Sequence, residues 1–278
     1  MRSRISAALL TAAVAGFATV SAQSSRQAGV LTSMWGTYVA RGQLLIFPFY
    51  SASVDHNFEY QPLRLGYGLA EDFEARFRQS SAQLFLAYGV SDRLALELET
   101  GVTRAVFHKS AADTSATPAR IEESGLADVE GQIRWRTVPE SGRRPEIFTF
   151  LEITAPVARN KVLIGDRVWD LRPGVGVIRA FSWGTLVSRV TVEYNHDDRL
   201  WDLGEFSIEY LKRLSPAWHV NAAFEGGETG AMDEWTLVTG AQWQVRPGWI
   251  VRFDQAVGLF PKATDWEPQV GVMLTLPR

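Results

Sequence analysis

Four histidines, His56, His108, His196 and His219, are the side chains best suited to acid–base or metal chemistry near neutral pH. No two stand at a metal-ligand spacing, and no His-Glu-x-x-His segment occurs. No serine lies in a Gly-x-Ser-x-Gly turn, so nothing marks a nucleophile for a histidine to activate. His196, Asp197, Asp198 and Asp202 gather oxygen ligands of the kind Ca²⁺ takes, but a hydrophilic loop tip uses the same residues. The absence of cysteine excludes disulfides, zinc–thiolate sites and thiol catalysis. Phosphate-cradling glycine loops are absent too. The expectation is no enzyme and no cofactor, with an outer-membrane lipid-modifying enzyme as a minor alternative.

The chemistry left is that of charged walls. The 278 residues carry 28 Lys and Arg against 31 Asp and Glu, a net charge of −3. That balance supplies no basic excess for a phosphate backbone, so no nucleic acid partner is expected. Charged residues instead alternate with apolar ones. Between Asp128 and Val138, the residues Val129, Gly131, Ile133, Trp135 and Thr137 fall on one side. Asp128, Glu130, Gln132, Arg134 and Arg136 fall on the other. Successive strand side chains point to opposite faces, so this is a strand with one apolar and one polar face.

The same period returns along the chain. It predicts twelve strands, near residues 42–54, 79–90, 93–107, 127–138, 145–156, 172–183, 186–196, 203–214, 217–227, 234–245, 249–259 and 268–276. Three readings are less regular. Pro48 is awkward for a fully paired position. Phe148 and Phe150 share a face with Glu146 and Glu152. Arg179 is in phase with Val175 and Val177, which suggests a bulge that shifts register.

Connections alternate short and long, as they do in outer-membrane barrels, and an even strand count puts both termini on the short-turn side. Many predicted strands run longer than the five or six residues usual in soluble proteins and match a tilted bilayer crossing of about 9–11. Trp135, Trp183, Trp218, Trp243 and Trp249 fall near short turns, and Trp201, Trp235 and Trp266 near long loops, as interfacial girdles do. The fold class expected is therefore all-β, a transmembrane antiparallel β-barrel of about twelve strands. A soluble periplasmic β-sandwich is the alternative.

Residues 1–22 read as a cleavable signal peptide. Arg2 and Arg4 precede an uncharged apolar run from Ile5 to Val20, and Val20-Ser21-Ala22 supplies the small residues before a cut. Residues 23–41 form an N-terminal segment and a plug candidate, with Val30, Leu31, Met34 and Trp35 apolar enough to lie against a wall. Residues 42–278 make the barrel. The expected location is the outer membrane of a Gram-negative cell.

With the apolar face toward lipid, the polar face lines the lumen. Its candidates are Glu97, Glu99, Asp128, Glu130, Arg134, Arg136, Arg189, Glu193, Glu205, Glu209, Arg252 and Asp254. Opposite charges on neighbouring strands are expected to pair, Glu130 and Arg134 each across the ladder. Their charges would tune the selectivity of any path.

Gly125-Leu126-Ala127-Asp128-Val129, running into Gln132-Ile133-Arg134-Trp135-Arg136, resembles the Gly-Leu-Gly-Asp segment of the "MetA-pathway of phenol degradation" family of bacterial outer-membrane transporters. Tyr88 to Leu98 is similar to a hairpin of that family. Ala127 stands where the family has its second glycine, and the chain ends in Pro277-Arg278 without the usual terminal aromatic. The resemblance covers the chain from about Gly42 onward. It implies a barrel and passage of small aromatic or other hydrophobic molecules.

The function expected is thus a channel or transporter for a small-molecule solute. A closed structural or ligand-binding barrel is the alternative. Outer-membrane lipid and the barrel assembly machinery are the other expected partners.

Overall fold

A computed structural model describes residues 29–32, 37–165, 168–195, 200–226 and 234–276. The expected signal peptide, Met34, Trp35 and the loop residues His196 to Asp198 lie outside the described residues.

Fifteen strands follow in order: β1 (Gly29–Leu31), β2 (Tyr38–Ala40), β3 (Leu44–Tyr60), β4 (Phe73–Gly89), β5 (Leu94–His108), β6 (Arg120–Leu126), β7 (Val129–Val138), β8 (Glu146–Ala155), β9 (Asp170–Phe181), β10 (Gly184–Asn195), β11 (Leu200–Arg213), β12 (Trp218–Gly226), β13 (Thr236–Arg246), β14 (Trp249–Gly258) and β15 (Trp266–Leu276). From β3 to β15 all pairing is antiparallel between successive strands, except that β6 and β7 both pair with β5, and β15 returns to pair with β3. Strands β3 to β5 and β7 to β15 close a twelve-stranded barrel, one for each predicted strand. β6 extends the fourth wall strand. It pairs with the upper part of β5 (Val102 opposite Leu126), and β7 takes over below (Glu99 opposite Glu130). Ala127 and Asp128 between them form a one-residue bulge. The stretch expected to connect residues 108–126 is therefore partly wall.

Burial follows the two-residue period. On β5, Leu96 and Leu98 are 43% and 42% exposed, while Glu97 between them is 6% exposed. An outer surface of exposed Leu, Val and Ile belongs in hydrocarbon; in water it would drive association. Trp135, Trp183, Trp218, Trp243 and Trp249 stand exposed at the short-turn rim, and Trp201 and Trp266 at the other. Among the described residues no helix is long and apolar enough to cross a membrane; here the strands do so.

Pro48 points outward on β3, and the registered pairs of the β3–β15 seam skip both Pro48 and Pro268. A missing N–H is thereby placed where the ladder makes no demand on it. Arg179 overturns the expected bulge: the β9–β10 register runs without a shift from Gly184–Phe181 to Thr191–Gly174. Arg179 instead stays on the outer face at the short-turn rim. There its guanidinium donates to the carbonyls of Gly142 and Arg144 and lies 3.6 Å from Glu140. A long side chain at the rim reaches polar partners without moving its backbone.

At the long-loop end, Asp113 holds the loop between β5 and β6. It accepts from the Tyr60 hydroxyl at 2.8 Å and from the Ser115 N–H at 2.6 Å. Burial opposes the charge of its carboxyl, but the Ser115 and Tyr60 hydrogen bonds and the nearby Lys109 outweigh it, so the group titrates below its ordinary value. The loop's attachment is full above the ordinary aspartate range and weakens as pH falls through the depressed value.

Replacing the outward Leu96 by Arg should cost more stability in lipid vesicles than Arg at Thr137 on the short-turn rim, where the cost should be about 0–1 kcal/mol. Urea unfolding of both variants in vesicles checks this; equal costs would show that Leu96 does not face hydrocarbon.

Candidate functional site

The lumen is built from the inward side chains. The twelve lumen candidates read from the sequence lie on five stretches of the wall: Glu97 and Glu99 on β5, Asp128, Glu130, Arg134 and Arg136 on β7 and the bulge before it, Arg189 and Glu193 on β10, Glu205 and Glu209 on β11, and Arg252 and Asp254 on β14. Glu97, Arg134, Arg136, Glu209, Arg252 and Asp254 are buried. They do not form one uniform wall. Three groups separate, each with its own partners.

The first group lies toward the short turns. Arg134 is fully buried, 3.6 Å from Glu97, and donates to Gln132, which donates in turn to Glu152 at 2.6 Å. Its guanidinium sits 4.4 Å from the centroid of the Phe148 ring, a cation–π contact. It also donates to the Leu31 carbonyl at 3.0 Å, so a wall strand holds the β1–β2 hairpin. Arg136 pairs with Glu146 at 3.2 Å and lies over the Tyr38 ring.

That hairpin lies inside the barrel. Leu31 packs with Phe148, Phe150, Ile178 and Val187. Val39 packs with Leu45, Phe47, Phe85 and Met273 on the opposite wall. The Thr37 hydroxyl donates to the Met273 sulfur at 3.6 Å. Gly89 permits the chain to enter, because a Cβ there would strike the Ala40 carbonyl. Its backbone also bonds to Gly42 and Gln43. The inner face here is apolar, which explains Phe148 and Phe150 sharing a face with Glu146 and Glu152. Their rings lie across Gly174 and Gly176 of β9, where any Cβ would collide with them.

The second group lies opposite, on β11 to β14. Arg252 is fully buried and hydrogen-bonds Asp254, which accepts from Asn221 at 3.2 Å. Glu209 is buried nearby.

The third group faces open space. A cavity of about 380 Å³ is lined by Gln83, Glu99, Thr103, Glu130, Thr154 and Arg172, with Asp128 at its edge. Glu130 does not meet a basic partner across the ladder as expected. Its cross-strand neighbours are Glu99 and Thr154, because the bulge at Ala127–Asp128 sets two carboxylates opposite each other. The loop between β8 and β9 bends inward as the cavity's apolar side through Val162, Leu163 and Ile164. Asp128 accepts from the Ala158 N–H at 2.7 Å, and Glu123 accepts from Val162 and Leu163. Asp128 is thus a loop anchor as well as a lumen residue. A second cavity of about 300 Å³ is lined by Arg189, Glu205, Ser207, Glu225, Glu234 and Thr236.

Arg172 and Glu234 were not among the sequence candidates. The signal for Arg172 was its alternation with Leu171, blurred by the Pro173-Gly174 that follows. Among the described residues no group of His, Asp or Glu could hold a metal ion.

No protein-family model and no curated protein matches the chain, so the family resemblance rests on its two motifs alone. Solved structures do match. An outer membrane channel from Pseudomonas putida F1 superposes with a TM-score of 0.60 at 12% identity, covering 89% of this chain and 100% of the other. That likeness shows the fold, an outer-membrane barrel. Two barrels match more loosely. The translocator domain of an autotransporter from Neisseria meningitidis has a TM-score of 0.47 at 13% identity, over 84% of this chain and 88% of that one. A toluene transporter from Ralstonia pickettii has a TM-score of 0.44 at 11% identity, over 85% and 89%.

Substituting Gly176→Ala forces a methyl into the Phe148 ring and should destabilise the barrel by about 1–3 kcal/mol. Adding Phe148→Leu should recover part of that loss in the same vesicle unfolding assay. Additive effects of the two changes would show that the ring does not lie over the glycine.

Proposed function

We propose that the protein is an outer-membrane channel for small molecules, closed at rest by its own N-terminal hairpin. One observation carries this: what narrows the lumen stands outside the barrel ladder. The wall is complete without β1, β2 and the 157–165 loop, and a cavity of about 380 Å³ remains between that loop and the strands. Obstructions held by side-chain hydrogen bonds and apolar contact can leave while the wall stays paired. A twelve-stranded wall leaves less room than a 16-stranded porin, so the solutes are small.

The cavity lining matches solutes that combine an apolar part with a polar one. Val162, Leu163 and Ile164 offer an apolar surface, and Gln83, Thr103 and Thr154 offer hydrogen bonds. Passage of aromatic or other hydrophobic molecules, implied by the family resemblance, suits the first surface. The Pseudomonas barrel of the same fold is described as a channel. Export behind a cleavable signal and insertion by the barrel assembly machinery complete this reading.

A second reading, a closed ligand-binding barrel, is favoured by the hairpin's burial: Val30, Leu31 and Val39 are at most 2% exposed.

Planar bilayers separate the two. Deletion of residues 29–40 should raise single-channel conductance several-fold over the intact protein, and cells carrying the deletion should take up small aromatic solutes faster. A deletion variant that is folded and inserted yet silent in bilayers, with unchanged uptake, would leave the closed barrel as the function.

A further inference from the structure

The two cavities meet at one ion-paired element. Arg172 of β9 lines the first, and Glu205 of β11 lines the second. Nη1 of Arg172 lies 2.9 Å from Oε1 of Glu205. Arg189 of β10 approaches the other oxygen of Glu205 at 3.4 Å and Glu152 at 3.7 Å. β10 stands between β9 and β11 in the sheet, so the Arg172–Glu205 pair reaches over a whole strand. Groups that bridge past an intervening strand stand proud of the wall. The cluster therefore projects into the lumen as a partition between the cavities.

Its charge matters as much as its position. Carboxylates dominate both linings: Glu99, Asp128 and Glu130 in the first, Glu205, Glu225 and Glu234 in the second. The basic side chains of the two linings are Arg172 and Arg189. Both turn to Glu205. Arg172 also hydrogen-bonds Asp170, and Arg189 also faces Glu152. A charge in a narrow low-dielectric passage acts on every ion that enters it, so removing one shared counter-ion changes the potential on both sides.

We propose that Glu205 is the specificity-determining residue of the lumen: by holding Arg172 and Arg189 together it leaves the remaining carboxylates to set a preference for cationic solutes. This rests on the channel reading above and adds the sign of the solute's charge and the residue that fixes it. With Glu205 uncharged, two guanidinium groups lose their common partner and face Glu99, Glu130 and Glu225 directly. The passage then loses its preference.

The test uses the full-length protein in planar bilayers. Glu205→Gln should lower the cation-to-anion permeability ratio several-fold, most strongly at low salt, where screening is weakest. The double variant Glu205→Gln/Arg189→Gln should bring it back toward the starting value. Glu209→Gln, an equal change of charge on the same strand away from both cavity linings, should move it much less. An equal shift from Glu209→Gln, or none from Glu205→Gln, overturns the proposal.

A second measurement does not need conduction. The chain has no cysteine, so Thr236→Cys places a single thiol on the second cavity. Cationic methanethiosulfonate should label it faster than the anionic reagent, and Glu205→Gln should reduce that ratio several-fold. If the ratio shifts while every variant, the deletion of residues 29–40 included, is silent in bilayers, Glu205 keeps its role and the channel reading falls. If the ratio does not shift, Glu205 does not set the potential of the lumen.

Discussion

A strand in hydrocarbon has no water to satisfy its backbone, so each N–H and C=O must find a partner in the chain. The pairing of β15 with β3 meets that demand by removing the sheet's edges. Much else follows from it. Closure fixes an inside and an outside, and the two-residue period sends alternate side chains to each. The outside must be apolar. The inside therefore receives the charges, and they must be accommodated in a space only twelve strands wide.

The barrel accommodates them by sorting. Toward the short turns, burial is deep, and Arg134 is satisfied on several sides at once by Glu97, Gln132, the Leu31 carbonyl and the Phe148 ring. A buried charge left with one partner would be costly, so this density of partners is a condition for placing an arginine there. The hairpin shares in that condition, since the same guanidinium that the wall needs to neutralise also grips Leu31. Toward the long loops, the bulge at Ala127–Asp128 changes the arithmetic of pairing. It brings Glu99 opposite Glu130 on the lining of the larger cavity.

Much of the wall was legible in the sequence because its two faces differ in polarity. Between Asp128 and Val138, and on β5, apolar and charged residues alternate cleanly, and strand, face and lumen residues all follow. The reading blurred wherever the inner face is itself apolar. Phe148, Phe150 and Ile178 point inward beneath the hairpin, so β8 and β9 show no contrast between faces, and Gly174 and Gly176 carry no side chain to reveal one. Arg179 misled for the opposite reason: a charge on the lipid side looks like a register error until the rim carbonyls it reaches are known. The hairpin strands, three residues each, are too short for any period to declare them. Arg172 was missed because Pro173-Gly174 blurs its alternation with Leu171, and its pairing with Glu205 shows only in the fold, which brings β9 within reach of β11 over β10.

These cases share one cause. A sequence pattern reports the polarity of an environment, not its origin. An inward residue is charged where it meets water or a counter-charge, and apolar where it meets another segment of the chain. The change from Phe148 and Phe150 to Arg172 and Glu205 along the inner wall therefore maps where the lumen is packed and where it is open. The packed part is filled by a hairpin that stands outside the barrel ladder. The open part keeps its charged groups facing one another across free space, at distances set by strand pairing and a single bulge. Packing against the hairpin and charge around open space thus occupy different stretches of the same inner face.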